Sequence, residues 1–230
     1  MPTNKENARN AIAELVKTKL VVKRSVFLKT KEVFQLLKEV LEEMKADLQK
    51  KTQSKDPIMI EVTEIGEYEV RLRIGGDTMV FLMHSNVFDF DKSHKIHKNS
   101  YVQKQAYNAF CGQIYMYNFL SDSFKYSRVN DYGYLIARLF VNNDLHYFIE
   151  GKNRLSFLFN DFCNAVLDKK QLSLIIDEVL LDCLEFDLYS PPYQQVEMVT
   201  VDEITQVSNN LRLQTGKRLG FKFKSDAQIK

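Results

Sequence analysis

The chain has 230 residues, of which 45% are hydrophobic and 27% are charged. This share of apolar side chains is enough for a continuous core, so the composition argues against a disordered chain. The 32 basic and 30 acidic side chains nearly cancel, so the overall charge lacks the basic excess that is typical of nucleic-acid-binding proteins.

The N-terminal residues and the cysteines indicate the cellular compartment. The first residues are polar and lack the apolar run of a signal peptide, and no apolar stretch reaches the roughly 18 residues of a membrane helix. Cys111, Cys163 and Cys183 lie far apart and form no Cys-x-x-Cys pair. We therefore expect reduced thiols, a cytoplasmic location and no membrane contact.

Two amphipathic helices are predicted before residue 50. Thr3 and Glu6 fit a capping box at the start of the first helix, and apolar side chains then recur at helical spacing as far as Leu20. Thr30 is predicted to cap the second helix. One face of that helix is an apolar stripe that needs a surface to cover, formed by Val33, Leu37, Val40, Leu41, Met44 and Leu48.

From residue 58 onward, apolar and polar residues alternate, which is the period of a strand with one buried face. Gly75-Gly76-Asp77 and Asn142-Asn143-Asp144 are typical of tight hairpin turns. The strands predicted on this basis span residues 58–62, 68–74, 78–84, 110–119, 134–141 and 145–150.

The C-terminal part of the chain is predicted to be mainly helical. Residues 153–167 fit either a helix or a strand, and the longer helical pattern favours a helix. Asp168 and Gln171 predict the cap of a further helix. Helices, then strands, then helices favour an α+β fold in which an antiparallel sheet carries the N-terminal and C-terminal helices on one face. We expect a single domain over residues 1–230, helical in 1–50, mainly sheet in 58–150 and mainly helical in 153–210.

The charges of the last predicted helix oppose its dipole. Lys169 and Lys170 lie near its start, and Glu185 and Asp187 lie near its end. Each arrangement is unfavourable by about 0.3–1 kcal/mol when exposed. We therefore expect these side chains to have partners elsewhere. An acidic helix end that faces the basic loop of a second copy would make the protein a homo-oligomer.

Residues 91–108 interrupt the strand pattern with a long basic loop. Long connections inside a compact domain are uncommon and often functional, and residues 92–108 contain no acidic side chain. The lysines create a local positive field, and a tyrosine offers a ring on which a base can stack. The predicted partner is a nucleic acid, a nucleotide or an acidic protein surface, and the alternative is a solvated loop that binds nothing. The predicted binding residues are Lys92, His94, Lys95, His97, Lys98, Tyr101 and Lys104.

Metal and cofactor motifs do not emerge from the sequence. Asp89, Asp91, His94 and His97 are of the residue types that bind metals, but their spacing matches no established motif and the nearby lysines oppose a cation. No P-loop, Gly-x-Ser-x-Gly or Gly-x-Gly-x-x-Gly run is present. The sequence predicts no cofactor and no metal, and it favours a protein that is not an enzyme.

One predicted hairpin carries acidic residues in a pattern found in some nucleases. Glu150-Gly151-Lys152 ends a strand, and Asp131 and Asp144 flank the same hairpin. In this detail the chain resembles nucleases of the restriction-enzyme type, in which an acid and a Glu-x-Lys pair hold a divalent metal. The resemblance implies that Asp131 or Asp144 binds metal together with Glu150, and that Lys152 aids catalysis. The alternative is that Glu150 and Lys152 simply close the strand and turn the chain.

The leading expectation is a non-enzymatic binding or interaction module that uses the basic loop. The alternatives are a metal-dependent nuclease that uses the 131–152 hairpin and a structural, self-associating protein.

Overall fold

A computed structural model describes residues 4–151, 154–187, 190, 192–202 and 204. These residues form an antiparallel sheet with helices. The six strands lie side by side in the order in which they occur in the chain. The α+β fold predicted from the sequence is thereby confirmed. The strands are β1 (Ile60–Glu64), β2 (Glu69–Ile74), β3 (Asp77–Met83), β4 (Gly112–Leu120), β5 (Tyr134–Val141) and β6 (Tyr147–Gly151).

Two long helices cover one face of the sheet. The first is α2 (Val21–Lys51), which follows α1 (Asn4–Leu15) and a π-helical turn (Val16–Leu20). The second is α6 (Lys169–Leu184). The predicted apolar stripe of α2 and the apolar side chains of α6 both face the sheet, where each fully buried side chain contributes about 1.5–3 kcal/mol before entropy is subtracted. The helical side chains at the centre of this core are Phe34, Leu37, Leu41, Leu172, Ile175, Ile176 and Val179.

Six further short helical elements lie in the described part of the chain. They are α3 (Ser100–Lys104), α4 (Ser121–Lys125), α5 (Leu155–Leu158), α7 (Tyr193–Val196) and two 3-10 turns, Lys95–Lys98 and Ala106–Ala109, which together flank α3. Among the described helices, none is both long enough and apolar enough to span a bilayer.

The N-terminal helices form one continuous helix, so the predicted start of a second helix at Thr30 is wrong. Thr30 lies inside α2, is only 1% exposed, and donates its hydroxyl proton to the carbonyl of Val26 at 2.7 Å. Residues 20–30 contain neither glycine nor proline, so nothing ends the helix before the threonine. The π-helical turn inserts an extra residue and rotates the apolar face of α1 relative to that of α2.

The predicted helix over residues 153–167 is also mostly wrong. Only α5 is helical, and residues 159–166 then run along the outer edge of β6. The amide of Ile149 donates to the carbonyl of Phe159 at 2.9 Å, and His146 forms a β-bridge with Val166. The free edge of β6 offers unpaired backbone groups, and this segment pairs with them instead of forming its own helix.

The cap of α6 lies where the sequence predicts it. Asp168 accepts a hydrogen bond from the amide of Gln171 at 2.7 Å. Lys169, whose charge opposes the helix dipole, has a partner in the same chain, because its Nζ lies 2.6 Å from Oε1 of Glu43. A second copy is therefore not needed to account for this lysine, and homo-oligomer formation stays a prediction.

A second apolar cluster lies on the opposite face of the sheet, over β5 and β6. It joins side chains of those strands to the segment before β4 and to Phe162 on the β6 edge. Outside this cluster the face is only partly covered, since Leu82 of β3 is 36% exposed and Leu135 of β5 is 37% exposed, whereas Val80 of β3 is buried. The buried members of the cluster are Ile96, Val102, Ala109, Cys111, Phe140, Phe148 and Phe162.

Candidate anion-binding surface

The basic segment 91–108 is an ordered part of the fold. It consists largely of α3 and the two 3-10 turns that flank it. Side chains cap these turns, because His94 accepts a hydrogen bond from the amide of Ile96 and Asn99 accepts one from the amide of Tyr101. Ile96 and Val102 anchor the segment in the apolar cluster on β5 and β6. The lysines are therefore presented by a fixed scaffold.

The lysines of this segment are exposed and carry unpaired charge. Within the part of the chain that the structure describes, no carboxylate lies within ion-pair distance of any of them. In contrast, Lys169 pairs with Glu43, and other lysines of the helix layer form similar pairs. An unpaired ammonium group is free to attract an external anion. The four exposed lysines are Lys92, Lys95, Lys98 and Lys104.

The nearest acidic residue in sequence, Asp91, is bound within its own turn. Its Oδ1 accepts hydrogen bonds from the hydroxyl and the amide of Ser93, at 2.6 and 2.8 Å. These bonds hold the pKa of the Asp91 carboxyl below its usual value, the hydroxyl bond contributing most. Asp91 thus stabilises the turn and does not neutralise Lys92.

Tyr101 serves the scaffold. Its hydroxyl donates to Oδ2 of Asp144 at 2.5 Å and accepts from Nδ2 of Asn142 at 3.0 Å. Burial raises the pKa of the Tyr101 hydroxyl, and the hydrogen bond to Asp144 acts in the same direction. The ring stacks on His146 with a centroid distance of 4.3 Å. A face of the ring that was predicted to receive a base is therefore already occupied by a histidine.

The two histidines of the segment also make internal contacts. The ring of His94 stacks on Phe90 at 4.7 Å, and its Nε2 lies 3.9 Å from Oε1 of Glu150. Nε2 of His97 lies 3.1 Å from the carbonyl oxygen of Phe90. These contacts hold both rings against the sheet, so the exposed positive charge comes from the lysines.

A small cavity of ≈ 150 Å³ opens between the segment and the β6 edge. Lys95 and His94 line it on one side, and Asn99 and Asn160 supply amide groups. Phe148 and Phe162 form its apolar floor. The cavity provides room for one small anionic group beside Lys95.

The N-terminal helix adds cations to this site that were not predicted from the sequence. The Nζ atoms of Lys19 and Lys23 lie 5.7 and 5.2 Å from the ring centroid of Phe110. Tyr107 stacks on the same ring at 5.4 Å, three residues after Lys104. The only sequence signal was the basic run in residues 17–24, which is separated from the segment by about 80 positions.

The acidic residues of the proposed nuclease pattern make separate contacts. Asp131 accepts from the hydroxyl of Ser123 at 2.7 Å, and Asp144 binds Tyr101 at the far end of β5. Glu150 pairs with Arg138, its cross-strand partner. Lys152 lies outside the described residues.

Metal-binding clusters are absent from the described part of the chain. No group of three or more histidine, cysteine, aspartate or glutamate side chains is placed to hold an ion there. Neither the acidic residues of the 131–150 hairpin nor Asp89, Asp91, His94 and His97 form such a group. Asp89 accepts a hydrogen bond from the neighbouring amide of Phe90 at 2.9 Å.

Comparison with known proteins adds no family. A scan against protein-family models, a search of curated proteins and a search of solved structures each give no match. The charges and contacts described above are therefore the basis for any inference about function.

Proposed function

We propose that this chain is a non-enzymatic binding module whose basic surface contacts the phosphate backbone of a nucleic acid. The basic surface comprises Lys92, Lys95, Lys98, Lys104 and, from the N-terminal helix, Lys19 and Lys23. The observation that carries the proposal is the set of four exposed lysines on the ordered segment 91–108, which have no carboxylate partners in the described part of the protein. Lys19 and Lys23 are half-buried beside this segment.

The spread of these cations favours a linear polyanion. Lys95 and Lys98 lie on a 3-10 turn and Lys104 lies on α3. Lys19 and Lys23 lie on the N-terminal helix beside Phe110, so the cations are distributed over several elements. The regularly spaced phosphates of a nucleic acid can contact such a surface at several points. Each contact releases counterions, and this release is the main source of affinity at low salt.

Recognition through the backbone predicts little dependence on base sequence. Tyr101 stacks on His146 and Tyr107 stacks on Phe110, so neither ring has both faces free for a base. Lysines that contact phosphates position a nucleic acid but do not read its sequence. We therefore expect similar affinities for mixed sequences of equal length.

The proposal is tested by fluorescence anisotropy with a labelled mixed-sequence DNA duplex over a range of salt concentrations. With four to six phosphate contacts, the logarithm of the association constant falls with the logarithm of the salt concentration with a slope of about −4 to −5. Replacing Lys92, Lys95 and Lys98 together by glutamine should reduce the magnitude of this slope by about 2.7.

The matched control replaces Lys50, Lys55 and Lys170 by glutamine, which changes the net charge equally. These lysines are exposed and, among the described contacts, have no carboxylate partner. The control should keep the slope of the unmodified protein. Absence of binding at low salt, or an equal loss in both triple variants, would refute a localised phosphate-binding surface.

A further inference from the structure

A second candidate site lies on β1–β3, on the face of the sheet opposite the two long helices and away from the basic surface. A cavity of ≈ 300 Å³ opens there above the sheet and is bounded by α4. Two rows of cross-strand neighbours form its floor. The first row consists of Glu61, Arg73 and Thr78, and the second consists of Thr63 and Arg71. The volume is at the lower end of the range for small-molecule sites.

Two of the three cations in this cavity lack an acidic partner. In the described part of the chain, neither Arg73 nor Lys125 has a carboxylate within ion-pair distance. Arg73 makes a single long hydrogen bond, from Nε to the carbonyl of Gly75 at 3.3 Å. The terminal nitrogens of its guanidinium and the ammonium of Lys125 are therefore available to an anion. Both line the same cavity, so together they supply the positive charge that attracts a phosphate group.

The third cation, Arg71, is fixed in position. Its Nε and Nη2 both lie 2.6 Å from Oε1 of Glu69, and its Cζ lies 4.0 Å from the centroid of the Phe124 ring. Contacts on two sides hold the guanidinium before any ligand arrives. The Phe124 ring occupies one face of the guanidinium, so the opposite face is the stacking surface that remains for a planar ring system.

Apart from Thr63, whose hydroxyl can also donate, the other polar groups of the cavity act mainly as hydrogen-bond acceptors. The Ser121 hydroxyl donates to the carbonyl of Gly75 at 3.1 Å, so the Thr78 hydroxyl donates to Ser121 at 2.9 Å. Both protons are then used, and the remaining lone pairs accept. The exposed carboxylate of Glu61 also accepts. A ligand that carries hydroxyl or amino donors in addition to an anionic group would therefore match most of these polar groups.

We infer that this cavity binds a ribonucleoside monophosphate. The phosphate lies between Arg73 and Lys125. The ribose hydroxyls donate to Glu61 and Thr78, and the base stacks beside Arg71 and Phe124. An inorganic anion would leave the acceptors and the stacking surface unused. The site is separate from the proposed nucleic-acid surface and does not depend on it.

The test is isothermal titration calorimetry of the full chain with adenosine 5′-monophosphate, ribose 5-phosphate, inorganic phosphate and adenosine. Adenosine 5′-monophosphate should bind most tightly, because it alone engages all three parts of the site. Arg73→Gln and, separately, Lys125→Gln should each weaken it by about tenfold, as expected for the loss of a charge-assisted hydrogen bond. Lys170→Gln, at an exposed lysine of α6 outside both sites, is the control and should leave this affinity unchanged.

Three results would overturn the inference. The first is no binding of adenosine 5′-monophosphate at millimolar concentration. The second is equal affinity for inorganic phosphate and adenosine 5′-monophosphate, since ribose and base would then contribute nothing. The third is binding that both Arg73→Gln and Lys125→Gln leave intact while circular dichroism shows them folded. Arg73→Gln should not change the affinity for the DNA duplex measured by anisotropy. A failure of this inference can therefore be distinguished from a failure of the nucleic-acid proposal.

Discussion

Single side chains in the basic segment divide into those that hold it on the sheet and those that project from it. Tyr101, His94 and His97 contact neighbouring rings and backbone groups, whereas the lysines are exposed. From the sequence alone these seven residues formed one group of predicted ligands, because a pattern of residue types does not reveal which rings are already stacked. Substitutions in the two classes should therefore have different effects.

Tyr101→Phe should reduce stability without reducing nucleic-acid affinity. The substitution keeps the ring stacked on His146 but removes the hydroxyl that bonds Asp144 and Asn142. We expect a loss of about 1 kcal/mol in the free energy of unfolding, measured by urea denaturation. A tenfold loss of duplex affinity at unchanged stability would instead show that Tyr101 contacts the ligand.

Ser93→Ala should raise the pKa of Asp91. The lowered pKa in the folded protein derives chiefly from the Ser93 hydroxyl and then from the Ser93 amide. Because the folded-state pKa lies below that of the unfolded chain, this contribution to stability is present above the unfolded pKa. It is lost as the pH falls through the folded value. NMR titration of the Asp91 carboxyl carbon measures the shift, and an unchanged pKa in Ser93→Ala would contradict this role.

Gly112→Ala should destabilise the contact between α2 and β4. A Cβ atom at this position would lie 1.9 Å from Oγ1 of Thr30 and 2.7 Å from its Cβ. Thr30 is 1% exposed and has no room to move, so we expect a loss of about 1–3 kcal/mol or more. Gly76→Ala, where nothing lies within 4 Å of the added atom, is the control for urea denaturation. Equal stability of the two variants would contradict the close packing.

At the scale of elements, the sheet was predictable and the helix boundaries were not. Alternating apolar residues in β2 and the glycine pair before β3 are local signals that directly indicate a hairpin. The continuity of α1 and α2 could not be predicted from the local sequence, because Thr30 is also a suitable residue for a helix N-cap. Its place inside the helix follows from the packing of Thr30 against Gly112, which is a tertiary contact. The edge segment 159–166 likewise takes its conformation from β6, which is a tertiary contact.

The approach of the N-terminal helix to the basic segment also depends on tertiary contacts. Neither the basic run of residues 17–24 nor Phe110 indicates by itself that the two lie together. The placement follows from the crossing of α2 over the sheet, which also brings Ser25 next to Asn143. Four of the six lysines of the proposed surface were therefore predicted from the sequence, and the other two were assigned only from the fold.

Deletion of residues 2–15 should leave the stability of the remaining protein nearly unchanged. The described side chains from residue 5 to residue 17 are all exposed, so their removal should change the free energy of unfolding by no more than about 0.5 kcal/mol. Leu37→Ala, at a fully buried position of α2, should cost about 2–5 kcal/mol. Guanidinium denaturation compares the two, and a large loss in the deletion variant would show that α1 packs on the fold.

At the scale of the whole molecule, a near-neutral total charge conceals separate regions of opposite sign. Residues 4–25 contain six basic and two acidic side chains, whereas residues 177–187 contain five acidic and no basic ones. Such separation orients an approaching polyanion toward the basic side. It also explains why the overall composition did not suggest a nucleic-acid partner.

The most direct measurement of the central claim is lysine footprinting with an acetylating reagent, read by mass spectrometry, with and without a mixed-sequence DNA duplex at low salt. Bound duplex should reduce modification several-fold at Lys92, Lys95, Lys98 and Lys104, and also at Lys19 and Lys23. Modification at Lys50, Lys55 and Lys170 should not change. Uniform protection of all lysines, or protection at the second group but not the first, would contradict the assignment of the basic surface.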